Sequence, residues 1–208
     1  MLEWLTSPVF AVASSVFTWG ELLGFLTGVV NVWLLVRQNP VNWPVGIANV
    51  LLLLVVFWHA GLYADAGLQI VYVALGFYGW WQWLFGGERR SRLVVSRTSW
   101  TEWMVLGALG VVATAGLALL LDRVTDSTVP LPDALTTVLS LIATYGQCRK
   151  KVESWWIWIT ADLFYIPLYL YKGLWLTSLL YLVFLGLCVA GLRAWRLDLA
   201  GRPALAPA

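Results

Sequence analysis

Charge is scarce in this sequence. Only 12% of its 208 residues are Asp, Glu, Lys or Arg, about half the 25% or so of an ordinary soluble domain. A water-soluble core of this length could not hide the apolar surface that remains, which excludes a single soluble domain. Histidine occurs once, as His59, and cysteine twice, as Cys148 and Cys188. That excludes a His/Cys metal cluster and a disulfide framework, and the two thiols read as small packing residues in apolar surroundings. There is no glycine-rich nucleotide loop and no nucleophile–base pair, so the sequence points away from an enzyme and implies neither metal nor cofactor. Basic residues are missing from positions 1–18, where Glu3 precedes the apolar stretch Val9 to Phe17. A signal peptide begins with positive charge. Residues 1–18 are therefore expected to form a lead-in or a short interfacial helix.

What the chain does contain is apolar and aromatic length: 61% hydrophobic residues, including 15 tryptophans. A helix needs roughly 20 residues to cross the hydrocarbon, fewer where aromatic residues extend it at the interface. Seven spans are expected, near Trp19–Val36, Trp43–Trp58, Leu62–Phe85, Trp103–Leu121, Leu135–Cys148, Trp155–Tyr171 and Leu174–Leu192. Pro44 suits the first turn of the second span, where a missing N–H costs nothing. Pro167 is interior to the sixth and predicts a kink, or an irregularity that neighbouring helices satisfy. Eleven Lys and Arg residues fall on one side of these spans and only Arg123 and Lys172 on the other. The positive-inside rule then puts the N-terminus outside and the C-terminus in the cytoplasm. The run from Arg89 to Arg97 abuts a span, so topology and lipid head-group contact explain it without nucleic acid.

Sliding the chain against itself reveals an internal match at an offset of 113 residues. Thr27 falls on Ser140, Asn31 on Thr144, Trp43 on Trp156 and Asn49 on Asp162; this register gives Trp158 Val45 as its counterpart. After one deletion the offset becomes 112, with Gly79 on Gly191 and Trp83 on Trp195. Three spans is an odd number, so two such units joined directly would point in opposite directions; a fourth, unmatched span restores the orientation. The expected fold is an all-α integral membrane protein of seven transmembrane helices in a parallel 3+1+3 repeat, similar to SWEET-type transporters. The first repeat covers residues 19–87, and residues 88–130 hold a basic cytoplasmic loop, the linker helix and an outer loop. The second repeat covers 131–196, followed by a cytoplasmic tail at 197–208.

Polar groups inside hydrocarbon are costly and each needs a reason. The sixth span carries Trp155-x-x-Trp158-x-x-x-Asp162, whose members share one helical face, continued by Tyr165 and Tyr169. Indole faces bind cations and stack on planar rings, and a nearby carboxylate accepts hydroxyl hydrogen bonds. A flat ring bearing hydroxyls, and carrying positive charge, would suit this face. A second stripe runs along the fifth span through Thr137, Ser140, Thr144 and Gln147, with Thr27 and Asn31 a weaker version in the first. A third, Asp65-Gln69-Tyr72, opens the third span, and Asn49, with Asn42 and Gly46, marks the second. The competing explanation is structural: Ser, Thr and Asp162 as interhelical hydrogen-bond groups and many tryptophans as interface anchors.

These residues resemble the PnuC family of bacterial vitamin transporters. The resemblance rests on Arg37-Gln38-Asn39-Pro40-Val41-Asn42-Trp43-Pro44 with Gly46 and Asn49, and on Tyr63-Ala64-Asp65-Ala66-Gly67-Leu68-Gln69 followed by Tyr72. Tyr78-Gly79-Trp80 and the Trp155/Trp158/Asp162 motif complete it, from about Trp19 to Trp195. It implies facilitated diffusion of nicotinamide riboside, trapping by cytoplasmic phosphorylation, a homotrimer and a site between the halves in the bacterial inner (cytoplasmic) membrane. Carried onto this chain, Trp155, Trp158 and Asp162, with Asn49 and Gln147, become the expected ligands. The polar stripes add Thr144, Gln69, Tyr72 and Tyr169. Relatives that move thiamine or riboflavin leave another flat vitamin, with or without proton coupling, as one alternative. A non-transporting scaffold glued by its polar stripes is the other. Membrane lipids and a small-molecule substrate are the partners implied.

Overall fold

The computed structural model describes residues 7–12, 15–59, 61, 63–124, 130–171 and 175–201. Seven helices carry the fold: α1 (Trp19–Val36), α2 (Asn42–His59), α3 (Tyr63–Phe85), α4 (Trp100–Val124), α5 (Pro130–Cys148), α6 (Ser154–Tyr171) and α7 (Trp175–Ala200). Within them, Asn42–His59, Trp100–Arg123 and Ser178–Ala200 are long and apolar enough to cross a membrane on length and composition alone. Large apolar side chains point outward in number, Phe164 at 73% and Val111 at 72% exposure among them. In water that would be an aggregating surface; against lipid it is the natural outer face.

Several boundaries differ from the expected spans, for local chemical reasons. Helix α4 begins at Trp100 rather than Trp103 because Ser99 caps it. The Ser99 Oγ accepts from the Glu102 N–H at 3.2 Å while Glu102 Oε2 accepts from the Ser99 N–H at 2.7 Å, a reciprocal capping box. Helix α5 begins at Pro130, a position where proline's missing N–H is harmless. Helix α6 continues through Pro167, and the Ser178 hydroxyl of α7 donates to the Ile166 carbonyl beside it at 3.0 Å. The N-terminal segment departs from the interfacial-helix expectation. Its described part is a hairpin of β1 (Pro8–Val12) and β2 (Ser15–Thr18). The β-branched and aromatic residues of that stretch favour strand pairing. Residues 1–6, 13–14 and 202–208 lie outside the described residues.

Helices α2 and α3 pack closely because Trp43 lies over Gly79, where any Cβ would overlap the indole. Helices α6 and α7 repeat this contact with Trp155 over Gly191. Trp43 meets Trp83 edge-on at 5.5 Å and 87°, and Trp155 meets Trp195 edge-on at 5.3 Å and 86°. The turns before α2 and α6 each contain a residue with positive φ, Gln38 at 52° and Lys150 at 49°. Equivalent residues in all these features stand 112 positions apart, as Gln38 and Lys150 do. The 113-residue register expected for the second and sixth spans is therefore off by one. Trp43 corresponds to Trp155, Gly46 to Trp158 and Val50 to Asp162. Two adjacent tryptophans, Trp155 and Trp156, made the wrong register look right; packing chooses the one that meets a glycine.

Contacts between the two sets of helices are reciprocal. Trp83 Nε1 of α3 donates to the Gln147 carbonyl of α5 at 3.0 Å, and Trp195 Nε1 of α7 donates to the Leu35 carbonyl of α1 at 3.3 Å. Lys150 Nζ donates to Gln38 Oε1 at 3.1 Å and lies 4.3 Å from the centre of the Trp83 ring. Helix α4 packs mainly on α5. The loop between α3 and α4 runs across this end of the bundle. Ser96 exchanges backbone hydrogen bonds with Lys150 and Val152, both 3.0 Å, and Val95 is buried beneath. Thr98 donates through its N–H and its hydroxyl to Glu153 Oε2, each at 2.9 Å.

Candidate functional site

A cavity of about 480 Å3 lies among α1, α2, α3, α5, α6 and α7. That is within the usual range of small-ligand sites, roughly 300 to 1,000 Å3. Helix α6 contributes Trp155, Trp158 and Asp162, since intervals of three and four residues put them on one helical face. Asp162 is buried beside Cys188 of α7, and its Oδ2 has no hydrogen-bond partner. Trp158 is half-buried and Trp155 is wholly buried between Gly191 and Trp195. Trp155 is thus as much a core residue as a wall residue.

The other expected site residues divide. Gln147 and Thr144 of α5 line the cavity, although Thr144 spends its hydroxyl proton on the Ser140 carbonyl at 2.8 Å. Tyr72 of α3 also lines it. Ser140 donates to the Thr137 carbonyl at 2.7 Å, so the Tyr72 hydroxyl must be the donor in the Tyr72–Ser140 hydrogen bond. Asn49 lines the cavity too, but its amide nitrogen donates to the Gly24 carbonyl and to Thr27 Oγ1, both at 2.7 Å. That bond ties α2 to α1. Gln69 is buried away from the cavity wall, and the Tyr169 side chain lies outside the described residues.

Much of the rest of the wall was not among the expected site residues; its polar, aromatic or thiol members include Asn31 of α1, Asn42 and Trp43 of α2, and Tyr181, Phe184 and Cys188 of α7. Asn31 was visible in the sequence as a polar residue within a span. No local pattern distinguished Cys188 from an ordinary packing residue.

Among the described residues, five buried side-chain polar atoms lack a hydrogen-bond partner. They are Asn31 Oδ1, Asp162 Oδ2 and the indole nitrogens of Trp43, Trp155 and Trp158. All five belong to residues that line this one cavity. An unpartnered buried polar group costs about 1–3 kcal/mol, and such groups are few in native proteins. The unpartnered groups thus belong to residues gathered around one cavity.

A bundle of apolar helices around an aromatic, partly polar cavity is the architecture of a membrane transporter for a small molecule. The chain belongs to the nicotinamide mononucleotide transporter family, whose model matches residues 18–197; it is a transporter of the PnuC type and not an enzyme. It is 31% identical over 197 residues to the riboflavin/roseoflavin transporter RibM of Streptomyces davaonensis, covering 93% of this chain and 92% of that one. It is 23% identical over 203 residues to the nicotinamide riboside transporter PnuC of Escherichia coli K12, covering 86% and 85%. The crystal structure of the vitamin B3 transporter PnuC superposes with a TM-score of 0.68 at 22% identity, over 88% of this chain and 82% of that one. The shared fold follows from that likeness.

Proposed function

We propose that this protein mediates facilitated diffusion of nicotinamide riboside across the bacterial inner membrane, with phosphorylation in the cytoplasm trapping the product. The observation that carries this reading is that the five unpartnered buried polar atoms found among the described residues all belong to residues lining one cavity. A pyridinium ring suits the Trp158 indole through cation–π attraction. Ribose hydroxyls suit the free oxygen of Asp162, and the carboxamide suits Gln147. Trp155, Thr144 and Tyr72 shape the wall, while Asn49 acts by holding α1 to α2.

Riboflavin is the second reading, favoured by the 31% identity to RibM over nearly the whole of both chains. A tricyclic ring stacks on the same indoles, and its ribityl chain offers Asp162 the same hydroxyls. Thermal unfolding of the purified protein with nicotinamide riboside, riboflavin and thiamine separates them, because a ligand of the native state raises the midpoint by mass action. A rise with riboflavin alone moves the assignment to that vitamin; no rise with any of them sinks both. In liposomes, uptake of the stabilising vitamin should equilibrate regardless of an imposed proton gradient. Accumulation abolished by a protonophore would overturn the uniport.

The architecture in this reading is the parallel 3+1+3 repeat, residues 19–87 and 131–196, with α4 as linker and the halves rocking about the cavity. The 112-residue correspondences and the reciprocal Trp83 and Trp195 hydrogen bonds support it. The eleven-to-two distribution of basic residues supports an outside N-terminus and a cytoplasmic C-terminus. A homotrimer is the expected assembly, measurable as the mass of the detergent-solubilised complex.

A further inference from the structure

Resting on the reading that this cavity takes a flat ring bearing hydroxyls, we infer that Asn31 determines which rings are accepted. Its amide oxygen takes a hydrogen bond from an N–H on the edge of a ring whose face lies on Trp158. Asn31 lines the cavity, and its Oδ1 is buried with no hydrogen-bond partner. Its amide rests directly against Gly46, where a Cβ would lie 3.0 Å from Oδ1 and 3.2 Å from Nδ2. Glycine at 46 is therefore what lets the amide occupy this position.

The 112-residue register places Gly46 opposite Trp158, and Asn31 opposite Ala143. The two sets of helices thus fill equivalent places in opposite ways. One puts a small residue on its second helix and an amide on its first. The other puts an indole on its second helix and a buried alanine on its first. In the parallel repeat proposed above, Asn31, packed on Gly46, and Trp158 stand at the same level of the bundle on opposite sides of the cavity. Asp162 follows Trp158 by one helical turn, about 6 Å along the axis. A ring stacked on Trp158 and offset toward α1 brings one edge to Asn31, and its hydroxylated chain reaches Asp162. An oxygen accepts only, so the ring edge must carry a donor. A carboxamide or a ring imide qualifies; an edge presenting a ketone or an N-methyl group does not.

The test uses full-length protein in detergent and two ligand pairs that differ at this donor. One pair is nicotinamide riboside and 3-acetylpyridine riboside, which keeps the cation and the carbonyl but lacks the N–H. The other is riboflavin and 3-methylriboflavin. For whichever parent vitamin binds, the wild type should prefer the donor-bearing member by about tenfold or more, since a site built around a hydrogen bond rejects the analogue that cannot make it. Asn31→Ala should reduce that preference to about threefold or less, mainly by weakening the parent vitamin. Gly46→Ala, which displaces the amide without removing it, should erode the preference in the same direction. Equal binding of both members by the wild type overturns the inference with no variant needed. So does full discrimination retained by Asn31→Ala. If the wild type binds neither parent vitamin, the functional reading itself has failed, and the inference falls with it.

Discussion

Trp83 and Trp195, 6.0 Å apart at their ring centres, each give their indole N–H to a backbone carbonyl in the other set of helices, at Gln147 and Leu35. Both indoles are almost wholly buried, so these bonds fasten α3 to α5 and α7 to α1 at one end of the bundle. Removing the donor should be measurable. Trp83→Phe and Trp195→Phe should each lower stability by at least about 1–3 kcal/mol, because a buried carbonyl loses its partner and the smaller phenyl leaves part of the indole's space unfilled. The check is unfolding of the solubilised protein followed by tryptophan fluorescence. A neutral result at both positions would show that water replaces the indole, and that the fastening is dispensable.

Glycine substitutions should separate contact from propensity. Alanine in place of glycine within a helix ordinarily stabilises by up to about 1 kcal/mol. At Gly79 and Gly191 the added methyl meets the Trp43 and Trp155 rings, and overpacking of that kind costs about 1–3 kcal/mol. Gly79→Ala and Gly191→Ala should therefore destabilise. Gly107→Ala and Gly116→Ala, where nothing lies within 4 Å, should be neutral or stabilising. Thermal midpoints of the four variants decide the matter, and the sign of each change is the result to read.

Asp162→Asn and Trp158→Ala should weaken vitamin binding by about tenfold or more, the worth of one charge-assisted hydrogen bond or one stacked ring. Asp162→Asn should leave the unliganded fold intact, since Asp162 Oδ2 has no partner to lose, and Trp158→Ala should cost only the packing of its half-buried indole. Titration of ligand against each variant, beside its unliganded melting point, makes the comparison. Folding damaged as much as binding would favour the scaffold explanation of the polar stripes.

The Lys151–Glu102 ion pair, 2.9 Å long with a Glu102 side chain 36% exposed, should contribute little. Exposed pairs are worth about 0–1 kcal/mol and weaken with salt. Glu102 also caps the Ser99 N–H, and loss of a cap costs about 0.5–2 kcal/mol. Glu102→Ala should thus destabilise more than Lys151→Met, and the excess should persist at high salt. Melting points at low and high ionic strength would reveal equal, fully screened effects if the cap were irrelevant.

Much of this molecule was legible in the linear chain. Scarce charge, seven apolar runs and one-sided basic residues pointed to a membrane bundle because lipid permits little else. Trp155, Trp158 and Asp162 could be grouped because all three lie on one helix, where the 3.6-residue period fixes which side chains share a face. Asn31 and Cys188 could be seen but not assigned, because their neighbours come from other helices. The partners of Asn49 were hidden for the same reason: it lines the cavity while its amide nitrogen binds Gly24 and Thr27, which depends on how α1 leans on α2.

By itself, then, the sequence determined what runs along one dimension: hydropathy, helical faces, caps such as Ser99 and Glu102, and an internal match near 113 residues. Tertiary structure alone decided the register of that match. Trp155 and Trp156 are indistinguishable as letters, and only one of them can lie over Gly191. Close packing of bulky rings against glycines selects the 112-residue register, in which Trp43 meets Gly79 and Trp155 meets Gly191.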